Sequence, residues 1–104
     1  MKKVYAVKIS ADAENDIDEI YLWYELQQIG LGELFVEYLN KAVQHVVKYP
    51  NSYRQAYKNV HRVLTKKFPY AVYYLVNEIK LHIEALAIVH AKRNPRLIKK
   101  RIKK

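Results

Sequence analysis

Cysteine is absent from this chain, and with it go disulfides, thiolate metal sites and thiol nucleophiles. Glycine occurs only twice, at Gly30 and Gly32, which leaves no GxGxxG or GKS/T loop to cradle a phosphate. No stretch approaches the roughly 20 apolar residues of a membrane span. Met1-Lys2-Lys3 leads into a short apolar segment without a long apolar core or a small-residue cleavage site, so membrane insertion and export are not expected and the cytoplasm is. What remains is 104 residues, 51% of them hydrophobic and 28% charged. That is enough for one small domain, residues 1–104, held by packing alone.

Charge is also unevenly missing. Residues 9 to 40 hold eight acids (Asp12, Glu14, Asp16, Asp18, Glu19, Glu25, Glu33 and Glu37) and no Lys or Arg. Residues 41 to 104 hold sixteen Lys and Arg against Glu78 and Glu84, a block of +14 within a net charge of +9. A chain with two electrical poles invites an acidic or polyanionic partner for its basic half. The acid block is read as a solvated helix face.

Lys3 to Ile9 is short, β-branched and aromatic, which predicts a strand. Ser10 then caps a helix over Ala11 to Gln28, with Asp12 and Glu14 at its positive end and Ala13, Ile17, Ile20, Tyr21 and Tyr24 as its apolar stripe. The glycines at 30 and 32 make a turn into a second helix, Glu33 to Lys48, with stripe residues Phe35, Leu39 and Val43 among others, stopped at Tyr49-Pro50. Pro50 to Ala56 reads as a loop. Three strands follow, about Tyr57 to Leu64, Tyr70 to Val76 and Lys80 to Val89, separated at hairpin spacing, and residues 92–104 read as a basic tail. The expected fold is α+β, ordered β-α-α-β-β-β, with the helical hairpin on one face of a small, mainly antiparallel sheet.

Alternation sets Lys58, Val60, Arg62 and Leu64 on one face of the first strand of the triplet and Tyr57, Asn59, His61 and Val63 on the other. The cation at Arg62 marks either a face open to a partner or an edge protected from aggregation. In the last strand Leu81, Ile83, Ala85, Ala87 and Val89 make one core face. His90 ends that strand beside Lys92, Arg93 and Arg96, a setting that favours the neutral, proton-accepting imidazole; a surface histidine at a strand end is the plainer reading of the same residue. His45 and His61 carry weaker signals, and no HExxH or HxxxH spacing supports a metal. Of the ten tyrosines, Tyr21, Tyr24 and Tyr38 belong to helix stripes. Those in the basic half suit either packing or base stacking between cations.

Several phrases together carry a resemblance: IS-x-x-A-x-x-D-I at Ile9 to Ile17, YLWYE at Tyr21 to Glu25, F-x-x-x-L at Phe35 to Leu39 and YP at Tyr49-Pro50. They continue with R-V-L at Arg62 to Leu64, KFPYAVYY at Lys67 to Tyr74 and A-I-V-H-x-x-R-x-P at Ala87 to Pro95. In order and spacing the chain resembles the RelE/ParE toxin superfamily of bacterial toxin-antitoxin modules over nearly its whole length. The resemblance implies a toxin neutralised by a cognate antitoxin in a hetero-oligomer, without cofactor, metal or membrane. RelE-like members cut messenger RNA on the ribosome, whereas ParE-like members are similar to inhibitors of DNA gyrase. The FPY phrase and the H-x-x-R-x-P ending look closer to the ParE side, and no aromatic residue follows Tyr74, where many RelE-like nucleases place a C-terminal tyrosine. Target binding is therefore expected, through Arg62, Lys66, Lys67, Tyr74, His90, Arg93 and Arg96. Were the chain a nuclease, His90, Arg62, Lys66 and Arg93 would supply the base and phosphate clamps. A basic nucleic-acid-binding module without toxicity is the alternative of another class.

Overall fold

The computed structural model describes residues 3–57, 59–93 and 96–102. Ser10 does cap the first helix, its hydroxyl accepting the Ala13 backbone N–H at 3.1 Å. The elements run β1 (Ala6–Ile9), α1 (Ala11–Gln27), α2 (Leu31–Lys48), β2 (Gln55–Tyr57), β3 (Val60–Leu64), β4 (Tyr70–Asn77), β5 (His82–His90) and α3 (Arg96–Ile102). The sheet order is β1-β5-β4-β3-β2, with β1 parallel to β5 and the other pairs antiparallel.

The turn between α1 and α2 is organised by Glu25, whose carboxylate accepts the backbone N–H groups of Gly30 at 3.0 Å and Gly32 at 2.8 Å. It thereby satisfies the donors that open α2 and places an anion at the positive end of its dipole. Of the two glycines, Gly30 alone uses the left-handed region, at φ 91°. Gly32 is required for closeness instead, because a Cβ there would lie 2.6 Å from the Tyr21 carbonyl oxygen.

The sheet is covered on both faces, which is why its strands show no clean alternation. On one side the helical hairpin packs Phe35, Leu39 and Val46 against Val63, Val72, Tyr74, Ile83 and Ile88. On the other, Ile98 of α3, with Leu97 and Ile102, covers Val60, Ala71, Tyr73, Ala87 and Val89. Three expectations are corrected here. Within the segment read as a basic tail, Arg96–Ile102 form α3 and close a second core. The strand expected over Tyr57 to Leu64 is two short strands, β2 and β3, and part of the expected loop pairs as β2. The regular alternation assigned to β5 breaks at a bulge, where Tyr73 pairs with Ala87 and Tyr74 with Ala85, so Leu86 is extra and Ala87 and Val89 turn to the α3 side. Lys58, placed on a face by alternation, lies outside the described residues, as do Asn94, Pro95, Lys103 and Lys104.

Beyond Ala85 the edge of β5 has no strand beside it among the described residues, since β1 pairs with β5 only as far as Ile9. Side chains replace the ladder. Asp16 of α1 accepts the Ile88 N–H at 3.0 Å, and Arg101 of α3 donates to Asp16 at 2.7 and 3.1 Å and to the Leu86 carbonyl at 2.9 Å. This bidentate pair joins the hairpin layer to α3 around the sheet edge. Asp16 and Glu25 are thus engaged, against the reading of the whole acid block as solvated.

A second clasp ties the N-terminal segment to the opposite end of the sheet. Glu78 accepts from Tyr5 Oη at 2.7 Å, Asn51 Nδ2 at 3.0 Å and Lys3 Nζ at 3.3 Å. The Asn51 hydrogen bond, then that of Tyr5, hold the Glu78 carboxyl down at about 2. A carboxylate with a depressed folded pKa contributes stability that is fully present above its unfolded value and lost as pH falls through the folded one. In denaturant melts, the advantage of the parent chain over Glu78→Gln is therefore expected to shrink between about pH 4.5 and pH 2. A difference unchanged across that window would contradict the clasp.

Candidate functional site

β2 is only three residues long and follows β3 no further than the bond from Arg62 N–H to the Arg54 carbonyl, 2.9 Å. The outer edge of β3 past Arg62 therefore has no strand partner among the described residues, and Leu64 is 57% exposed there. Facing this edge across a groove of about 950 Å³ are Tyr38, Lys41 and His45 of α2, with Tyr53, Arg54 and Lys66 at its ends. Lys41 and Lys67 hold their ammonium groups 4.9 and 5.3 Å from the Tyr38 ring centre. His45 Nδ1 is hydrogen-bonded to the Tyr53 hydroxyl. Burial pushes the Tyr53 phenol up, so it stays protonated at neutral pH. The Tyr53 carbonyl accepts from His61 Nδ1 at 3.0 Å, and the His61 ring stacks on Tyr74.

The residues expected from sequence fall into two groups. Lys66 lines the groove, and Lys67, at φ 67°, stands beside it on Tyr38, whose hydroxyl raises its pKa. His90, Arg93 and Arg96 lie at the end of β5 and the start of α3, all exposed. His90 packs edge-on to Tyr70 and accepts the Lys92 N–H on Nδ1 at 3.1 Å. Arg62 connects the groups: it lines the groove, while its Nη2 donates to the Ala91 carbonyl at 2.7 Å and its guanidinium lies 5.9 Å from the Tyr73 ring centre. Its Nε is the buried side-chain donor without a partner among the described residues.

Tyr74 requires a correction. It is 1% exposed and donates its hydroxyl to the Pro50 carbonyl at 3.1 Å, so its ring is core and cannot meet a target in this conformation. Burial pushes its phenol well above the ordinary range. Conversely, Lys41 and Arg54 are not among the residues expected from sequence, Tyr53 is only one of the tyrosines of the basic half, and His45 is a weak candidate. The available signal was Tyr38, Lys41 and His45, spaced at i, i+3 and i+7 beside the core stripe of α2.

A sheet covered on one side by a helical hairpin and on the other by a C-terminal helix, with a basic groove at the hairpin-side edge, defines a RelE/ParE-like α+β protein. The family model described as the ParE toxin of the type II toxin-antitoxin system, parDE, matches residues 7–95, and the chain belongs to that family. No curated protein sequence matches it. Among solved structures it is similar to the chromosomal ParDE toxin-antitoxin system from P. aeruginosa, at 17% identity over 86% of this chain and 98% of that one, with a TM-score of 0.73. A doubly substituted E. coli toxin RelE in the free state aligns at 14% identity over 96% of each chain, with a TM-score of 0.72. The toxin-antitoxin complex RelBE2 from Mycobacterium tuberculosis aligns at 10% identity over 86% of this chain and 94% of that one, with a TM-score of 0.52. These likenesses concern the fold. Among the described residues no helix is long and apolar enough to cross a membrane.

Proposed function

We propose that this toxin arrests growth from within the cytoplasm by binding an essential target such as DNA gyrase, without cleaving RNA, and that an acidic antitoxin neutralises it. One observation carries the choice: two of the candidate cleavage residues, Arg62 and His90, are already engaged by the protein's own backbone. General acid/base cleavage of RNA needs two proton-transfer groups close to one phosphate. Here the Arg62 guanidinium is tied to the Ala91 carbonyl, His90 spends Nδ1 on Lys92, and Lys66 belongs to the groove. Lys66, Lys67, His90, Arg93 and Arg96 remain as exposed contacts for an anionic surface, with Arg62 as the strut between them.

The groove suits the antitoxin. An unpaired strand edge offers main-chain hydrogen bonds to an extended peptide, and Lys41, Arg54 and Lys66 attract acidic side chains. Charge reversal at these three positions is expected to weaken antitoxin binding by about tenfold or more at low salt, with the difference shrinking as salt is added. Equal affinities by calorimetry would refute that seat. Growth arrest on induced expression, relieved by the neighbouring gene, tests the proposal as a whole. Arrest without relief, or no arrest, contradicts it.

One observation favours a RelE-like nuclease as second reading: the His45–Tyr53 pair lies in the same groove as four cations, Lys41, Arg54, Arg62 and Lys66, an arrangement able to move a proton beside a phosphate. Message cleavage abolished by His45→Ala would establish it.

A further inference from the structure

Helix α1 has two apolar stripes, and the fold uses one. Ala13, Ile17, Ile20 and Tyr24 pack onto the sheet. On the opposite side Leu22 and Leu26 stand one turn apart, with Trp23 beside them and Ile29 just past the helix end, exposed by 59%, 84%, 55% and 92%. None of the four belongs to either core cluster. Trp23 meets Tyr24 edge-on at 5.1 Å, which steadies the indole at the surface. Large apolar side chains grouped at one exposed tip are a liability unless a partner covers them, and Trp is among the residues most enriched at interface hot spots.

Charge identifies the kind of partner. At 100° per residue, Asn15, Asp18 and Glu19 continue the same outer line toward the start of α1, with Asn15 Nδ2 donating to Glu19 at 3.2 Å. No Lys or Arg occurs between residues 9 and 40. Two copies meeting tip to tip would set these acids against each other, and an acidic antitoxin would be repelled from the same place. We propose that the hairpin tip is a docking surface that seats Leu22, Trp23, Leu26 and Ile29 in an apolar groove bordered by Lys or Arg on the target protein. Proteins that handle nucleic acids carry such cationic borders. This inference rests on the reading that the chain acts by binding a protein.

Because the four side chains are exposed, they can be changed without opening a core. The triple variant Leu22→Gln, Leu26→Gln, Ile29→Gln, and separately Asp18→Lys with Glu19→Lys, are compared with the parent chain. The readouts are growth arrest under graded induction, antitoxin affinity by calorimetry, and circular dichroism and sedimentation of the purified chains. Each variant is expected to need at least about tenfold more expressed toxin for the same arrest, with a parent-like spectrum and antitoxin affinity within about twofold. Arrest at the parental dose overturns the inference and leaves the proposed function standing. A parental dimer lost in the triple variant makes a second copy the occupant, and an antitoxin affinity lowered about tenfold makes it the antitoxin; either result overturns the assignment to the target. If the parent chain itself causes no arrest, the proposed function and the inference fall together.

Discussion

Phe35→Ala is expected to destabilise the protein by about 3–5 kcal/mol, a large part of what a domain of this size has to lose. Phe35 is 0% exposed. Its ring sits 5.4 to 5.9 Å, centre to centre, from Phe68, Tyr70 and Tyr24, so one side chain ties α2 to α1, to the β3–β4 turn and to β4. Truncation removes the transfer energy of the ring and leaves a cavity lined by three other rings that cannot collapse into it. Urea melts with a constant slope report the change directly, and a loss below about 1 kcal/mol would show that the stripe of α2 is not the core.

Asp16→Ala is expected to cost about 3 kcal/mol. The Asp16 and Arg101 side chains are 13% and 14% exposed, so removing Asp16 leaves a nearly buried cation to Asp12, 3.9 Å from its Nε, and releases the Ile88 N–H at the open edge of β5. Buried pairs are weak evidence for stability as pairs, yet costly to break from one side. Arg101→Ala leaves the carboxylate with the Ile88 N–H for company and should cost a similar amount. The double variant should cost clearly less than the sum, because the two residues share one interaction. Additive losses in a double-mutant cycle would mean that the clamp between α1 and α3 does not form in solution.

The helices were legible because Ile17, Ile20, Phe35, Leu39 and their neighbours repeat at helical spacing beside Ser10, the glycine turn and Tyr49-Pro50, signals that need no tertiary context. β4 was legible for the same reason, as an apolar run between breaks. α3 was not, because its three apolar residues, Leu97, Ile98 and Ile102, stand among cations and gain meaning only once a second sheet face needs covering. β2, three residues long, lies below the length at which alternation can be seen. The bulge at Leu86 has no local signature. In the site, the exposed cations followed from composition. Tyr74 was misplaced because both faces of a central strand are buried, so an aromatic residue among cations in sequence lies far from them in space. The groove assembled by Lys41, His45, Tyr53 and Arg54 brings together α2, a loop and the end of β3, a convergence that only the fold creates.

The most direct measurement adds the purified toxin to a DNA gyrase supercoiling assay and, in parallel, to translating ribosomes followed by primer extension on the message. Target binding predicts inhibited supercoiling that excess antitoxin relieves, with intact messages. Supercoiling unaffected by the toxin, together with codon-specific cleavage of ribosome-bound messages, would contradict it.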